Sequence, residues 1–162
     1  MEILTTNLEN IARVHKGNAE YGAYGPGDVP VYGPDGIVAH VDGSQAEGPA
    51  IIVPGKNDGG SRRLFYVAEA GPFYATDTVY YITVKHDRIQ PKFLYYWMES
   101  LHLEQGPEVT EQSLYALNPP IPPREEQKRI IDAVDADPSK LGAEMAALGK
   151  PDTWIPNWLQ EE

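Results

Sequence analysis

Asn118-Pro119-Pro120-Ile121-Pro122-Pro123-Arg124-Glu125-Glu126-Gln127-Lys128-Arg129-Ile130 is the stretch that decides how this chain is organised. Four prolines fall within five residues. Because proline fixes φ and lacks an N–H donor, the run is excluded from a helix and from the centre of a sheet, and a stiff, extended connector is predicted. A helix is expected to begin directly afterwards, since Pro123 suits a first turn and Glu125 and Glu126 lie near the positive end of the helix dipole.

The composition indicates a globular, loop-rich chain. Of its 162 residues 41% are hydrophobic, and Gly and Pro contribute 15 each. This favours short strands over a helical bundle. There is no cysteine, which excludes disulfides and thiolate metal sites. No apolar run approaches the ~20 residues of a membrane span, and no signal peptide is evident at the beginning of the sequence. We therefore expect a cytoplasmic protein with no membrane association.

Short strands dominate the predicted secondary structure before the proline run. The turn Pro34-Asp35-Gly36 is expected to join strands over residues 29–33 and 37–41. Further strands are predicted over residues 50–53, 62–67 and 75–84, the last as one long strand rich in Thr, Val and Tyr. Residues 8–17 fit either a helical turn or a short strand. Helices are predicted over residues 92–103, opened by Pro91, and over residues 141–148, with a stop at Asp137-Pro138 between the last two helices.

Several motifs occur in an order that is similar to that of a known family. They are Pro30-Val31-Tyr32-Gly33-Pro34-Asp35-Gly36, the apolar strand followed by Gly55-Lys56, the segment Phe73-Tyr74-Ala75-Thr76-Asp77-Thr78, and the exit from Pro122 to Ile130. Together they resemble a target recognition domain of a type I restriction–modification specificity subunit, in a single-domain, half-length form. The resemblance covers roughly residues 8–131.

We predict an α+β fold on these grounds. A curved, mixed β-sheet with one or two helices is expected to form a target recognition domain over residues 1–123. Residues 124–162 are expected to form a short helical appendage that serves as a spacer or in dimerisation. The resemblance implies a non-enzymatic subunit that binds one half-site of double-stranded DNA and presents it to a DNA methyltransferase subunit, with a homodimer as one route to a palindromic site.

The candidate DNA contacts lie in loops. Residues 54–63 hold three basic residues and one acidic residue, a local charge of +3 − 1 = +2. Arginine is able to bridge guanine O6 and N7, and asparagine to bridge adenine N6 and N7. Tyrosines in the loop over residues 18–28 have rings that stack on bases and hydroxyls that bind phosphate, although such residues more often pack half-buried with a satisfied hydroxyl. The predicted DNA-binding residues are Lys16, Tyr21, Tyr24, Lys56, Asn57, Ser61, Arg62 and Arg63.

The strong acidity of the chain supports an alternative function. The formal net charge is −11, whereas proteins that bind nucleic acid usually carry a basic surface. The alternative is therefore an acidic protein-interaction module, or an orphan or decoy that keeps the recognition fold without binding DNA.

Catalytic and cofactor-binding motifs are incomplete in this sequence. Asn118-Pro119-Pro120-Ile121 lacks the aromatic residue that amino-methyltransferases use against a flipped base. Gly55-Lys56 lacks the remaining residues of a phosphate-binding loop. The four histidines show no ligand spacing, so we expect no metal site, no cofactor and no catalytic residue.

Overall fold

The computed structural model describes residues 3–55, 63–103, 108–148 and 153–154, with the backbone alone described at Tyr21, Thr153 and Trp154. Its strands are β1 (Leu4–Thr5), β2 (Ala12–Lys16), β3 (Pro26–Gly33), β4 (Gly36–Val41), β5 (Ala46–Glu47), β6 (Ala50–Pro54), β7 (Phe65–Val67), β8 (Pro72–Ala75), β9 (Val79–Val84), β10 (Pro120–Ile121) and β11 (Thr153–Trp154). Its helices are α1 (Pro91–Ser100), α2 (Glu111–Tyr115), α3 (Arg124–Ala136) and α4 (Leu141–Leu148). None of these helices is long and apolar enough to cross a membrane.

The chain divides into two compact units. One, the helical unit, comprises Met1–Arg13, Val84–His102 and Tyr115–Glu162. The other, the sheet unit, comprises Val14–Thr83 and Leu103–Leu114. The predicted assignment of residues 1–123 to recognition and 124–162 to an appendage is a functional division and stays a prediction.

The sheet unit contains most of two four-stranded sheets, with strand orders β2-β9-β6-β7 and β4-β3-β8-β5. Strands β3 and β8 run parallel, whereas β3–β4, β5–β8, β6–β7 and β6–β9 are antiparallel. All five residues of β6 are buried, as the unbroken apolar run predicts. A core cluster fills this unit, formed by Ala50, Ile52, Val67, Phe73, Ala75 and Val79. The mixed sheet pattern of the predicted α+β fold is thereby confirmed.

Two of the predicted strands differ in the structure. The single strand expected over residues 75–84 is two strands, β8 and β9, separated by a turn at Thr76–Thr78. The Thr76 N–H donates to Tyr32 O and so ends the β3–β8 pairing, and the Thr76 and Thr78 hydroxyls bond to each other at 2.8 Å within the turn. After the turn β9 pairs with β6 in the other sheet. The strand expected from residue 62 begins at Phe65, after exposed Arg63 and buried Leu64.

The proline run behaves as predicted. β10 forms an edge of the three-stranded sheet β10-β1-β11, where Pro120 lies opposite Thr5. Thr5 Oγ1 donates to Pro119 O at 3.1 Å, which ties the run to the N-terminal strand. An edge position suits proline because no ladder donor is required on the outer side. The following helix, α3, begins at Arg124 with Pro123 as its N-cap.

The helices also follow the sequence patterns. α1 begins at Pro91 and ends at Ser100, slightly earlier than predicted; His102 beyond it has a φ of 54°. α3 ends at Ala136 before Pro138, and α4 spans the predicted residues 141–148. α1 contacts both α3 and α4.

Gln127 fixes the beginning of α3 within the helical unit. Its side chain is completely buried. The Gln127 Nε2 group donates to Arg88 O and to Pro122 O, both at 2.8 Å, while Oε1 accepts from the Gln90 N–H at 2.8 Å. A buried amide that satisfies three backbone groups holds α3, the proline run and the segment before α1 in one arrangement.

Candidate nucleic-acid interface

Several loops of the sheet unit meet at the end where β8 leaves its sheet. Gly17 N–H donates to Val79 O at 3.0 Å, and Ala19 N–H donates to Ala75 O at 2.8 Å. A Cβ placed on Gly17 lies only 2.0 Å from Thr76 O, so the glycine is needed for the close approach of the two segments. The segment after β2 therefore packs directly on the turn between β8 and β9.

The basic glycine loop is rooted at the same turn. Gly55, the last described residue before this loop, donates its N–H to Thr78 O at 3.1 Å and accepts at its carbonyl from the Val109 N–H at 2.9 Å. Arg63, the first described residue after the loop, is exposed, and Leu64 next to it is buried. This arrangement anchors both ends of the loop and leaves the Arg63 side chain in solvent.

Tyr24 is held in place by an aromatic stack. Its ring lies 4.5 Å from that of Tyr74 at an interplanar angle of 27°, and 36% of the residue is exposed. Tyr74 is itself positioned by a 3.0 Å hydrogen bond from its hydroxyl to Asp42 O. A preorganised ring with an open face is suited to stacking or to a phosphate contact.

Tyr32 belongs to the core, as its strand position suggests. Its ring packs edge-on against Phe73, with centroids 6.3 Å apart, and lies 5.9 Å from Phe65. Burial raises the pKa of the Tyr32 hydroxyl. The residue therefore supports the sheet rather than the loop surface.

A cavity of about 650 Å³ opens between the loops of the sheet unit. Its lining combines small and apolar residues with two acidic residues and two threonines. Thr76 is buried, whereas Glu20 and Asp77 are exposed. The lining residues are Ala19, Glu20, Gly22, Ala23, Gly33, Pro34, Val38, Thr76, Asp77 and Thr78.

Charges of both signs stand on this end of the sheet unit. Lys16 and Arg63 are exposed cations, and Glu20 and Asp77 are exposed anions. Within the described part of the chain none of the four side chains takes part in an ion pair or a side-chain hydrogen bond. They are thus available to a ligand. The sequence did not single out Glu20, and Asp77 appeared only within the motif Phe73–Thr78; their shared cavity had no local signal.

Only part of the predicted DNA-binding set lies within the described residues. Lys16, Tyr24 and Arg63 are exposed in the sheet unit. Tyr21 begins a short 3₁₀ turn, Tyr21–Ala23, but its side chain lies outside what the structure describes. Four further predicted residues lie outside the described residues: Lys56, Asn57, Ser61 and Arg62. Their role, like that of the whole set, stays a prediction. Across the described ranges, no group of three or more His, Asp and Glu residues is placed to hold a metal ion.

Comparison with known proteins supports the same family resemblance. No model of a protein family matches the chain. Over 118 residues the chain is 25% identical to a putative type I restriction enzyme specificity subunit of Haemophilus influenzae, a match that covers 68% of this chain and 30% of that protein.

Solved structures share the fold over most of this chain. The specificity subunit of the type I restriction–modification system from M. genitalium superimposes with a TM-score of 0.65 and 14% identity, covering 91% of this chain and 42% of its own. The HsdS subunit from Thermoanaerobacter tengcongensis gives 0.65 and 16%, covering 91% and 40%. A chain from a structural study of type I complex assembly and conformational transition gives 0.62 and 17%, covering 90% and 40%.

These likenesses confirm the predicted fold and the resemblance to a single recognition half of a type I specificity subunit. The chain spans less than half of the length of each of these proteins.

Proposed function

We propose that this chain is a sequence-specific DNA-recognition subunit of a type I-like restriction–modification system. It reads one half-site of double-stranded DNA and presents that DNA to a methyltransferase subunit, itself catalysing no step. The observation that carries the proposal is the agreement of fold with specificity subunits over nine-tenths of the chain, together with the curated relative of the same description. We expect the protein to act in the cytoplasm.

The loop end of the sheet unit is the proposed DNA contact. Lys16 and Arg63 supply exposed cations for phosphate oxygens, and Tyr24 supplies an open ring face. The glycine loop between Gly55 and Arg63, with Lys56, Asn57, Ser61 and Arg62, is proposed to follow a groove of the duplex. Tyr21 completes the proposed set.

A bipartite site requires a second recognition domain. This chain supplies one, so the other half-site is read by a second copy or by a further domain of a longer polypeptide. In this proposal the proline run and α3 connect the recognition surface at residues 1–123 to the helical segment at 124–162, which makes the contact between recognition domains.

Selection from randomised duplex DNA tests the function. The full chain, alone and with a co-expressed type I methyltransferase subunit, is expected to enrich one sequence at low salt. Lys16→Ala and Arg63→Ala are each expected to weaken binding uniformly across sequences and to lower the slope of log K against log salt by roughly one. Lys140→Ala, which removes an exposed cation from the helical unit, serves as the matched control and should leave the slope unchanged.

The net charge of −11 favours a second candidate function. An acidic module that retains the fold would bind the methyltransferase subunit without binding DNA, or would compete with DNA for it. Co-purification with the methyltransferase, combined with no enrichment of any DNA sequence by the chain or the complex, would establish this second function and eliminate the first.

A further inference from the structure

The residues that line the cavity beside the β8–β9 turn suit hydrogen bonds to the edge of a base pair better than a contact with a phosphate. Glu20 and Asp77, both exposed, are the acidic residues that line it, and no basic residue is among those that line it. Carboxylates repel phosphate but accept hydrogen bonds from neutral donors such as the exocyclic amino groups of bases. A ligand of this cavity must therefore present a hydrogen-bond donor.

The lining also includes apolar residues that are open to solvent. Val38 is 45% exposed and lines the cavity together with Pro34. The described large hydrophobic residues with the greatest exposure are Tyr24, Ile37 and Val38. Tyr24 follows Ala23, which also lines the cavity, so apolar exposure in the described part of the chain is concentrated around this one feature. Exposed apolar groups at a concave site mark a surface that packs on a ligand.

Two hydroxyls complete the polar part of the wall. Thr76 Oγ1 and Thr78 Oγ1 share one hydrogen bond of 2.8 Å. Because a hydroxyl has a single hydrogen, one of the pair keeps its hydrogen for another acceptor. The cavity thus offers an acceptor, a donor and an apolar contact within one wall.

An A·T pair presents the complementary set in the major groove. Adenine shows the N6 amino donor and the N7 acceptor, and thymine shows a C5-methyl group beside them. A G·C pair has an amino donor on cytosine but no methyl group. The combination of donor and methyl therefore identifies A·T among the base pairs.

Neighbouring cations make DNA the favoured occupant rather than a basic peptide. Lys16 precedes Gly17, which packs on Thr76, and the glycine loop with its +2 charge starts at Gly55, bonded to Thr78. The exposed Lys16 side chain disfavours a basic peptide in the cavity. With DNA as the ligand, Lys16 is available to a phosphate while the carboxylates are available to bases, so both signs of charge are used.

We propose that this cavity selects an A·T base pair: a carboxylate of Glu20 or Asp77 accepts from adenine N6, a threonine hydroxyl donates to adenine N7, and Val38 contacts the thymine methyl group. The inference rests on the DNA-recognition function proposed above. It assigns sequence discrimination to acidic and apolar residues and leaves phosphate binding to the basic ones, which accounts for DNA recognition by an acidic chain.

Sequence selection with variants of the full chain tests the proposal, in complex with the methyltransferase subunit where assembly requires it. Asp77→Ala and Glu20→Ala are the cavity variants. Asp28→Ala in β3 and Glu47→Ala in β5 remove the same charges from exposed positions that do not line the cavity. The wild type is expected to require A·T at one position, and at least one cavity variant to lose about tenfold in that preference. The controls are expected to change overall affinity without changing the preference, and circular dichroism verifies that all variants are folded.

A second measurement isolates the apolar contact. Replacing thymine by deoxyuridine at the selected position removes only the methyl group. The wild type is expected to lose several-fold in affinity on this change, whereas Val38→Ala, which has already lost the contact, loses nothing further.

The outcomes separate the two proposals. A wild type that enriches one sequence while both cavity variants keep the same preference would overturn the base-reading cavity and leave DNA recognition intact. The cavity proposal is likewise overturned if the variants weaken only the methyltransferase contact, which would make the ligand a basic peptide. A wild type with no sequence preference, alone or in complex, would overturn the recognition function itself.

Discussion

The two units of this molecule use their charged side chains in opposite ways. In the helical unit several charges pair between helices: Lys92 lies 3.0 Å from Asp135, linking α1 to α3, and Arg129 lies 2.9 Å from Glu144, linking α3 to α4. The hydrogen bond from Arg129 is the main cause that lowers the pKa of Glu144. Charge here holds helices together.

At the loop end of the sheet unit the charges are left in solvent. Lys16, Glu20, Arg63 and Asp77 have no such partner among the described residues, although they stand on segments tied together by backbone hydrogen bonds. The paired charges of the helical unit connect helices. The exposed charges of the sheet unit lie on anchored loops and are available to a ligand. Stability should therefore depend on polar contacts in the first region and on backbone packing in the second.

Gln127→Ala is expected to have the largest effect on stability, because it removes buried polar contacts of the helical unit. The substitution leaves the Gln90 N–H and the carbonyls of Arg88 and Pro122 without the partner that now satisfies them. Because an unsatisfied buried polar group costs about 1–3 kcal/mol, we expect a loss of about 3 kcal/mol in the free energy of unfolding. Chemical denaturation measures it.

Gln112→Ala is the matched control for that change. Gln112 is exposed on α2, and its loss is expected to alter stability by less than about 0.5 kcal/mol. Equal effects of the two substitutions would show that the buried amide does not fix the beginning of α3.

Gly17→Ala tests how far the stability of the sheet unit depends on close backbone packing. The added Cβ meets Thr76 O at 2.0 Å and Ala75 O at 2.6 Å, both backbone atoms, so the β8–β9 turn has to move. Overpacking of this kind costs about 2 kcal/mol, and displacement of the turn is expected to reduce DNA affinity as well. Equilibrium unfolding and a DNA-binding assay measure the two effects.

Gly22→Ala provides the comparison, because nothing lies within 4 Å of a Cβ added there although the residue also lines the cavity. It should leave stability nearly unchanged. If Gly17→Ala proves as mild as Gly22→Ala, the turn is not held by the segment after β2, and the loop end is not preorganised.

Elements that depend on local sequence rules were predictable, whereas elements that depend on distant partners were not. The proline run, α3 and α4 obey local rules of φ, helix dipole and spacing, and all three were predictable. The break between β8 and β9 was not, because Thr and Val suit a strand on both sides, and the two strands join different sheets, β8 beside β3 and β9 beside β6, through partners far away in the chain.

The candidate site was likewise only partly predictable from the sequence. A basic, glycine-flanked loop is visible in composition, but a cavity that joins Glu20 to Asp77 exists only through tertiary packing. Gln127 illustrates the same point for a buried group: the Glu-Gln pair belongs to a recognisable motif, yet its three partners are backbone atoms that no sequence pattern specifies.

Tyr96→Phe is expected to change the free energy of unfolding less than Gln127→Ala or Gly17→Ala. The size of this change is expected to depend on pH. Tyr96 Oη donates to Asp135, which also accepts from Lys92 at 3.0 Å. Burial raises the pKa of Asp135, but the hydrogen bonds from Tyr96 and Lys92 outweigh it, so the pKa lies below its ordinary value of 3.8. Because the folded pKa is lowered, the stabilisation is present above pH 3.8 and is lost as the pH falls through the folded pKa.

We expect Tyr96→Phe to cost about 0.5 kcal/mol at neutral pH, since both partners of the Lys92–Asp135 pair are more than one-third exposed and solvent screens the contact. Unfolding measured between pH 2 and 7 should show the difference from wild type shrinking once Asp135 is protonated. Tyr80→Phe removes a hydroxyl that has no hydrogen bond within the described residues, and it should give a difference that is independent of pH. A difference for Tyr96→Phe that stays constant down to pH 2 would mean that the hydroxyl contributes through packing and not through its hydrogen bond to the ionised Asp135 carboxylate.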